Sequence, residues 1–296
     1  MEKRIFTFWE NKKNALSLPP YIELCMETWR NNIPGLELVV VNYDNLYDWI
    51  DEDYIKSKDL RGLLLPQQKD VIQYGLIHKH GGVFLDADTI IVKDIFDEIE
   101  KLDDKLYFFG NPKKKFVNVG AMICKKAGNE ALAHCKLVSR MTIKENKRLF
   151  SRYNTIKIKG FVYRNIKVVL KAIIKNYHPS VDNGFYLPLG AFGNCIVNPV
   201  LREARFSDCT GIIERSESGT LLEWLFLKKS KKEGYLELYF GENDIELSDI
   251  VNKMKFGLVC LHNSWTPEDY KKFDYKTIKE DKSLMSRLLM YALSCR

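Results

Sequence analysis

The sequence feature that most constrains the fold is a glycine pair followed by an apolar stretch and two carboxylates. It lies in the segment His80–Val92, which reads HGGVFLDADTIIV. The two glycines end whatever element precedes them, and Val83–Leu85 is typical of a short buried strand. Side chains two residues apart in a strand point the same way, so Asp86 and Asp88 can aim at one point. The segment therefore predicts a buried strand that ends in a pair of converging carboxylates.

The carboxylates of Asp86 and Asp88 favour a site for a divalent cation and a diphosphate. Like charges this close repel each other unless a cation lies between them or one carboxylate takes a proton. Mg²⁺ and Mn²⁺ prefer oxygen ligands, and Mg²⁺ usually binds one or two carboxylates together with substrate phosphates. The alternative is a solvated Asp-x-Asp turn between two strands. The placement directly after a glycine pair and an apolar strand favours the metal site.

The N-terminal residues predict a parallel α/β sheet. Ile5–Trp9 and Leu36–Val41 are apolar runs typical of buried strands, and Pro19–Pro20 opens a helix between them. One face of that helix carries Ile22, Cys25, Met26 and Trp29. A strand–helix–strand order makes the two strands parallel neighbours. We therefore expect an α/β fold with a central, mostly parallel sheet flanked by helices.

A second helix is predicted over Gln67–His80, directly before the carboxylate strand. Asp70 and Gln73 are three residues apart in it, so they share one face. The glycine pair that follows provides the C-terminal cap of this helix. We therefore expect Asp70 and Gln73 to lie side by side.

Length and composition limit the classes of protein to which the chain can belong. The chain has 296 residues, of which 46% are hydrophobic and 29% charged, as in an ordinary globular protein. It lacks a run of 18 apolar residues, an apolar signal region, an internal repeat and a low-complexity linker. The seven cysteines are scattered and form no C-x-x-C pattern, which favours a reduced cytoplasm over a disulfide framework. We expect a cytoplasmic protein with one domain over residues 1–296.

The positive charge is concentrated in one segment. The formal net charge is +7, but Lys136 to Asn176 alone contains twelve Lys or Arg and one acidic residue, so the remainder is net acidic. Asn165–Asn176 predicts a helix with one apolar face and one lysine face. Such a helix can pack on the core with its lysines in water, or lie on an anionic membrane. We expect a basic helical excursion at about 136–176 and a helical tail at about 270–296.

Three N-terminal stretches resemble the capsular polysaccharide synthesis glycosyltransferases. They are Ile5–Glu10, Pro19–Trp29 and Pro66–Asp88, and the last reads PQQKDVIQYGLIHKHGGVFLDAD. The resemblance covers about the first 125 residues and the later element His262–Trp265. It extends to glycosyltransferase family 32, to yeast initiating mannosyltransferases and, more remotely, to clostridial glucosylating toxins. It implies a Rossmann-like GT-A fold, a nucleotide-sugar donor and a divalent cation, Mn²⁺ or Mg²⁺.

The resemblance also implies roles for individual residues around the two carboxylates. Asp86 would contact the ribose and the metal or its bound water, and Asp88 would ligate the metal directly. Asp70 would bind hydroxyl groups of the donor sugar. The family usually carries an arginine at the position of Gln73, and glutamine can donate a hydrogen bond there but brings no charge.

Further residues match positions outside that core motif. Trp9 resembles the position that stacks on the nucleotide base, and Asn118 the position that meets the donor or acceptor sugar. His262 and Trp265 resemble a late element that closes over the diphosphate, where an imidazole can ligate metal and an indole N–H can donate to phosphate. Asp182 lies in a turn where it could face the sugar in a retaining reaction, although turn chemistry explains it equally well.

The resemblance implies a metal-dependent, retaining hexosyltransferase that uses a UDP-sugar, with a GDP-sugar as the alternative. Its acceptor would be a lipid-linked saccharide of a surface polysaccharide, at the inner face of the membrane. Two other interpretations stay open. One is a nucleotide-sugar hydrolase or a toxin-like transferase that glycosylates protein. The other is a basic membrane-binding or nucleic-acid-binding module, but the acidic remainder and the lack of a nucleic-acid motif lead us to expect no nucleic-acid partner.

The membrane interpretation predicts that the protein co-sediments with liposomes that contain anionic lipid and not with neutral liposomes. Each lysine near an anionic surface contributes about 1 kcal/mol. Reversing the charges of Lys167, Lys171 and Lys175 should therefore abolish co-sedimentation. Binding without anionic lipid, or binding that survives the charge reversal, would contradict this interpretation.

Overall fold

The computed structural model describes residues 2–11, 18–152, 156–158, 161–163, 187, 190–215, 222, 226, 232–241 and 243–294. Its strands are β1 (Arg4–Phe8), β2 (Glu37–Val41), β3 (Gly82–Leu85), β4 (Thr89–Ile91), β5 (Leu106–Asn111), β6 (Phe116–Cys124), β7 (Ile156–Ile158), β8 (Phe161–Tyr163), β9 (Thr210–Glu214) and β10 (Leu258–Cys260). The helices are α1 (Pro20–Asn32), α2 (Leu46–Trp49), α3 (Ser57–Leu60), α4 (Leu65–His80), α5 (Phe96–Ile99), α6 (Glu130–Arg152), α7 (Asn194–Arg202), α8 (Lys232–Phe240), α9 (Leu247–Lys253), α10 (Tyr275–Glu280) and α11 (Leu284–Ser294).

The central sheet has the strand order β2-β1-β3-β6-β5-β9. β1 is parallel to both β2 and β3, and β5 is parallel to β9. β6 runs antiparallel to its neighbours β3 and β5. The five strands other than β6 therefore all run in the same direction. The predicted α/β fold with a mostly parallel sheet is confirmed.

Apolar side chains cover both faces of this sheet because its strands alternate between two cores. Ile5 and Val83 belong to one cluster of buried residues, which includes the apolar faces of α1 and α11. Phe6 and Phe84, one residue further along the same strands, belong to the other cluster, with α4 and the first half of α6. Strands buried on both faces read as continuous apolar runs, as β1 and β3 do.

The helix α1 packs with its predicted face inward, and two of its side chains bind β4. Trp29 is fully buried, and its Nε1 donates to the backbone oxygen of Thr89 at 2.6 Å. The hydroxyl of Thr28 accepts from the Ile91 N–H at 3.0 Å and donates to the Cys25 carbonyl at 2.6 Å. These bonds fix β4 against α1.

The glycine pair joins α4 to β3 as the sequence predicts. α4 ends at His80, and Gly81 and Gly82 both have positive φ, at 67° and 93°. A Cβ on Gly82 would lie 3.2 Å from the Arg4 carbonyl of β1. Glycine therefore allows β3 to turn sharply out of α4 and to pair closely with β1.

β4 pairs with β10 in a separate two-stranded antiparallel sheet. The Leu261 N–H, just beyond β10, donates to the Asp88 carbonyl at 3.3 Å. The loop after β10 is thereby brought beside the Asp-x-Asp segment, although about 170 residues of chain lie between them.

The basic segment differs from the expected helical excursion. α6 ends at Arg152, and β7 and β8 then form an antiparallel hairpin. Their residues are rich in β-branched and aromatic types, which favour strands. Residues 164–176, including the predicted lysine-faced helix, lie outside the described residues. Near the C-terminal end of the described residues the chain forms α10 and α11. Across the described residues, none of the helices is long and apolar enough to cross a membrane.

Replacing Thr28 by valine should lower the free energy of unfolding by about 1–3 kcal/mol, because the buried Ile91 N–H loses its acceptor. Thr7→Val is the matched control. Thr7 is fully buried in β1, and its hydroxyl has no hydrogen-bond partner among the described residues. Valine there should leave stability unchanged or raise it slightly. Chemical denaturation of both variants measures the difference, and equal losses would contradict the role of Thr28.

Candidate functional site

The site lies at the edge of the sheet where β1 and β3 end. These strands are parallel neighbours, so Trp9 after β1 and Asp86 after β3 leave the sheet at the same edge. The Asp86 N–H donates to the Gly120 carbonyl of β6 at 2.7 Å. A Cβ on Gly120 would collide with Asp86 Oδ2, so the absence of a side chain there makes room for the carboxylate.

A partly buried lysine connects this edge to α4. Lys69 Nζ lies 2.9 Å from Asp70 Oδ1 and 3.0 Å from Asp86 Oδ1, and the lysine side chain is 14% exposed. Burial alone would lower the pKa of Lys69, but the two carboxylates raise its pKa overall. Lys69 cannot be recognised from the sequence, since a lysine beside an aspartate on a helix carries no distinguishing pattern.

Asp70 is buried against the segment before α7. A Cβ on Gly193 would lie 2.6 Å from Asp70 Oδ2, so Gly193 allows the carboxylate to approach the start of this helix. The helix dipole favours a negative charge at that position. Burial nevertheless raises the pKa of Asp70, while Lys69 lowers it and Asp86 raises it further.

Asp88 is buried and held by the loop after β10. The Asn263 N–H donates to Asp88 Oδ2 at 2.7 Å, and the hydroxyl of Tyr21 in α1 donates to Asn263 Oδ1. Burial and then the charge of Asp86 raise the pKa of Asp88 to about 7, against the opposing effects of the Asn263 N–H and His262. Tyr21 was not identified from the sequence, where it reads as an ordinary core position of α1.

The predicted residues His262 and Trp265 lie in this same loop. Their ring centroids are 4.1 Å apart, and both rings contact Tyr235 of α8 edge-on at 5.4 and 5.7 Å. This aromatic contact holds His262 near Asp88, where its charge lowers the pKa of the aspartate. The structure thus brings the late element to the Asp-x-Asp segment.

The remaining predicted residues lie at different distances from the carboxylates. Asn118 Oδ1 accepts from the Gly120 N–H at 2.9 Å, beside Asp86. Gln73 is fully buried in α4. Trp9 is half-buried, and its indole donates to Asn11 at 3.0 Å. Asp182 lies outside the described residues.

The two carboxylates of the Asp-x-Asp segment fit a hard divalent cation that takes further ligands from substrate and water. Asp86 and Asp88 are close enough for the charge of one to raise the pKa of the other. No group of three His, Cys, Asp or Glu side chains converges as a metal site in the described ranges. Mg²⁺ binds in this way, through one or two carboxylates together with waters and phosphate oxygens.

A separate groove of about 370 Å³ lies between residues 52–59 and α6. Tyr54, Lys56, Arg140 and Lys144 are among its lining residues, and none of the predicted site residues is. The candidate site therefore rests on the converging charged side chains rather than on this groove.

The fold and site define an α/β protein with an acidic cluster at the carboxyl edge of its sheet. Residues 1–176, more than half of the chain, match the family model described as "Capsular polysaccharide synthesis protein". The chain belongs to this capsular polysaccharide synthesis family. A comparison with curated proteins finds no match.

Several solved structures are similar to this chain. The glycosyltransferase GlyE of Streptococcus pneumoniae TIGR4 is 13% identical, with a TM-score of 0.43 over 99% of this chain and 61% of that chain. The galactosyltransferase LgtC, in complex with donor and acceptor sugar analogs, is 9% identical to this chain. Its TM-score is 0.40, and the match covers 99% of this chain and 97% of the LgtC chain. The PaToxG glycosyltransferase is 11% identical, with a TM-score of 0.34, and the match covers 68% of this chain and 85% of the PaToxG chain. The present chain thus spans 61% of the GlyE chain, and likenesses at these TM-scores do not establish its activity.

The raised pKa of Asp88 predicts a pH-dependent effect of Asp88→Asn. In metal-free buffer, the unfolded chain loses the Asp88 proton near pH 4 and the folded chain near pH 7, so folding stability falls across this window. The variant lacks this charge. Its free energy of unfolding should exceed that of the wild type by an amount that grows from pH 4 to 7, reaching about 4 kcal/mol.

Denaturation in the presence of EDTA at a series of pH values measures this difference. Asp48→Asn, at an exposed position of α2, is the control and should show no such trend. A difference between Asp88→Asn and the wild type that stays constant with pH would contradict the assignment.

Proposed function

We propose that this chain is a GT-A glycosyltransferase that requires Mn²⁺ or Mg²⁺. It transfers a hexose from a UDP-sugar to a saccharide acceptor of capsular polysaccharide. Membership of the capsular polysaccharide synthesis family supports a role in capsular polysaccharide synthesis. The arrangement of charged side chains supports the site for the nucleotide-sugar donor.

The observation that carries the proposal is the charge balance at the carboxyl edge of the sheet. The described side chains that meet there include three carboxylates, Asp70, Asp86 and Asp88, and one ammonium, Lys69. A nucleotide diphosphate is itself strongly anionic. Such a ligand is repelled from this edge unless a multivalent cation accompanies it.

Asp86 and Asp88 are the residues that would hold the cation. When bound, a divalent cation acts as a Lewis acid that stabilises the negative charge developing on the departing diphosphate. Asn263 orients the Asp88 carboxylate through its N–H, and Tyr21 in turn holds Asn263. Lys69 fixes Asp86 relative to Asp70 on α4.

The remaining residues are assigned to the donor according to their position. Asp70, buried beside Asp86, accepts hydrogen bonds from hydroxyl groups of the donor sugar. Asn118, which lies beside Asp86 next to Gly120, meets the same sugar. Trp9, at the end of the neighbouring strand, offers an apolar ring to the base. His262 and Trp265 cover the diphosphate from the loop after β10.

The proposal also covers the stereochemistry and the acceptor of the reaction. A retaining reaction, with Asp182 facing the sugar, and a lipid-linked acceptor at the inner membrane face both follow from the family resemblance. The basic segment at 136–176 would place the protein at that surface. The liposome experiment above tests this part separately.

Calorimetric titration of UDP tests the donor site directly. We expect UDP to bind at least tenfold more tightly with Mn²⁺ than with EDTA, because the cation offsets the carboxylates and coordinates the diphosphate. Asp88→Ala should lose the metal-dependent part of the affinity. Asp48→Ala, at an exposed position away from the site, should keep it.

Each outcome of this titration favours one interpretation. Metal-dependent binding that disappears in Asp88→Ala supports the proposal and justifies a screen of UDP-sugars by donor hydrolysis. Equal affinity with Mn²⁺ and with EDTA would place the chemistry away from Asp86 and Asp88. If neither UDP nor GDP binds, the non-enzymatic module becomes the better interpretation.

A further inference from the structure

Lys69 occupies an unusual position for a lysine. It lies in the first half of α4, directly before Asp70, yet its side chain reaches Asp86 at the end of β3. Its ammonium group contacts one oxygen of each carboxylate, at 2.9 and 3.0 Å, and its nitrogen lies 6.0 Å from the ring of Phe84. A charge that is largely removed from water is costly unless it is paired, and Lys69 pairs with carboxylates from two parts of the chain.

The contact of Lys69 with Asp86 involves a carboxylate that would also hold the divalent cation. Asp88, by contrast, receives the backbone N–H of Asn263 and has no ion-pair partner among the described residues. The ammonium group and a divalent cation would therefore meet at Asp86 alone. Two positive groups on one carboxylate repel each other at close range.

We propose that Lys69 is the resident counter-ion of the donor site: it holds Asp70 and Asp86 together before substrate binds, and it competes with the divalent cation for Asp86. This inference rests on the proposed function, because it takes Asp86 as part of the cation site. Lys69 is thus a positioning residue that acts through the two carboxylates.

The proposal has two consequences of opposite sign. Without Lys69, the site has three carboxylates and no ammonium among its described side chains, so it should attract a divalent cation more strongly. A nucleotide diphosphate without metal should be attracted less strongly, because the ammonium group between Asp70 and Asp86 is gone. A residue that served only to stabilise the fold would not change these two affinities in opposite directions.

The test uses Lys69→Met, which keeps the length of the side chain and removes its charge. Binding of Mn²⁺ alone and of UDP with EDTA is measured by calorimetry on the full chain. We expect Mn²⁺ alone to bind about tenfold more tightly than to the wild type, and UDP with EDTA about tenfold more weakly. Lys69→Arg retains the charge and should keep the affinity for Mn²⁺ alone within about threefold of the wild type.

Lys79→Met is the matched control on the same helix. Lys79 forms an ion pair with Asp51 at 2.7 Å, at a more exposed position away from the site. The Lys79→Met substitution should change neither the affinity for Mn²⁺ alone nor the affinity for UDP with EDTA. Circular dichroism establishes that each variant is folded, and Lys69→Gln replaces Lys69→Met if the latter does not fold, since its amide can still donate to both carboxylates.

The outcomes separate this inference from the proposed function. If the wild type shows metal-dependent UDP binding and folded Lys69→Met leaves both affinities unchanged, the role of Lys69 is wrong and the proposed function stands. If the wild type does not bind UDP even with Mn²⁺, the proposed function fails. The measurement with Mn²⁺ alone still tests the competition between Lys69 and the cation for Asp86. If Lys69→Met binds Mn²⁺ with the same affinity as the wild type, the proposed competition is wrong.

Discussion

The site depends on one electrostatic constraint, which is that three carboxylates lie close together and two of them are buried. Asp70 and Asp88 are buried, and Asp86 is near enough to raise the pKa of both. An arrangement of this kind persists only where positive charge or hydrogen-bond donors offset it. Lys69 and the Asn263 N–H perform this function from two separate parts of the chain.

Family membership and site geometry support the proposed function independently. The family match covers residues 1–176, which include the sheet edge, Asp70 and the Asp-x-Asp segment. The loop that holds Asp88 lies outside that range, and it reaches the site because β10 pairs with β4. The distant similarity to solved glycosyltransferases adds no further argument, whereas the acidity of the sheet edge gives a physical reason for a cation-assisted anionic ligand.

Local patterns predicted the parts of the structure that depend on neighbouring residues. The glycine pair, the apolar run of β3 and the inward face of α1 were predicted because backbone conformation and side-chain periodicity determine them directly. The bridge from Lys69 to Asp86 and the contact between Tyr21 and Asn263 could not be predicted, since they arise when elements far apart in sequence pack together. The basic segment at about 136–176 was expected to be helical, but β-branched and aromatic residues form β7 and β8 within it.

The contact between Asn263 and Asp88 has a consequence for the order in which the site is completed during synthesis. Asp86 and Asp88 leave the ribosome together with β1, α1 and β3, whereas Asn263 is made 175 residues after Asp88. Until then Asp88 lacks that N–H, and Tyr21 lacks the side chain to which it donates. A nascent chain can therefore form most of the sheet and still have an incomplete site, so that the full charge arrangement appears only after β10 has paired with β4.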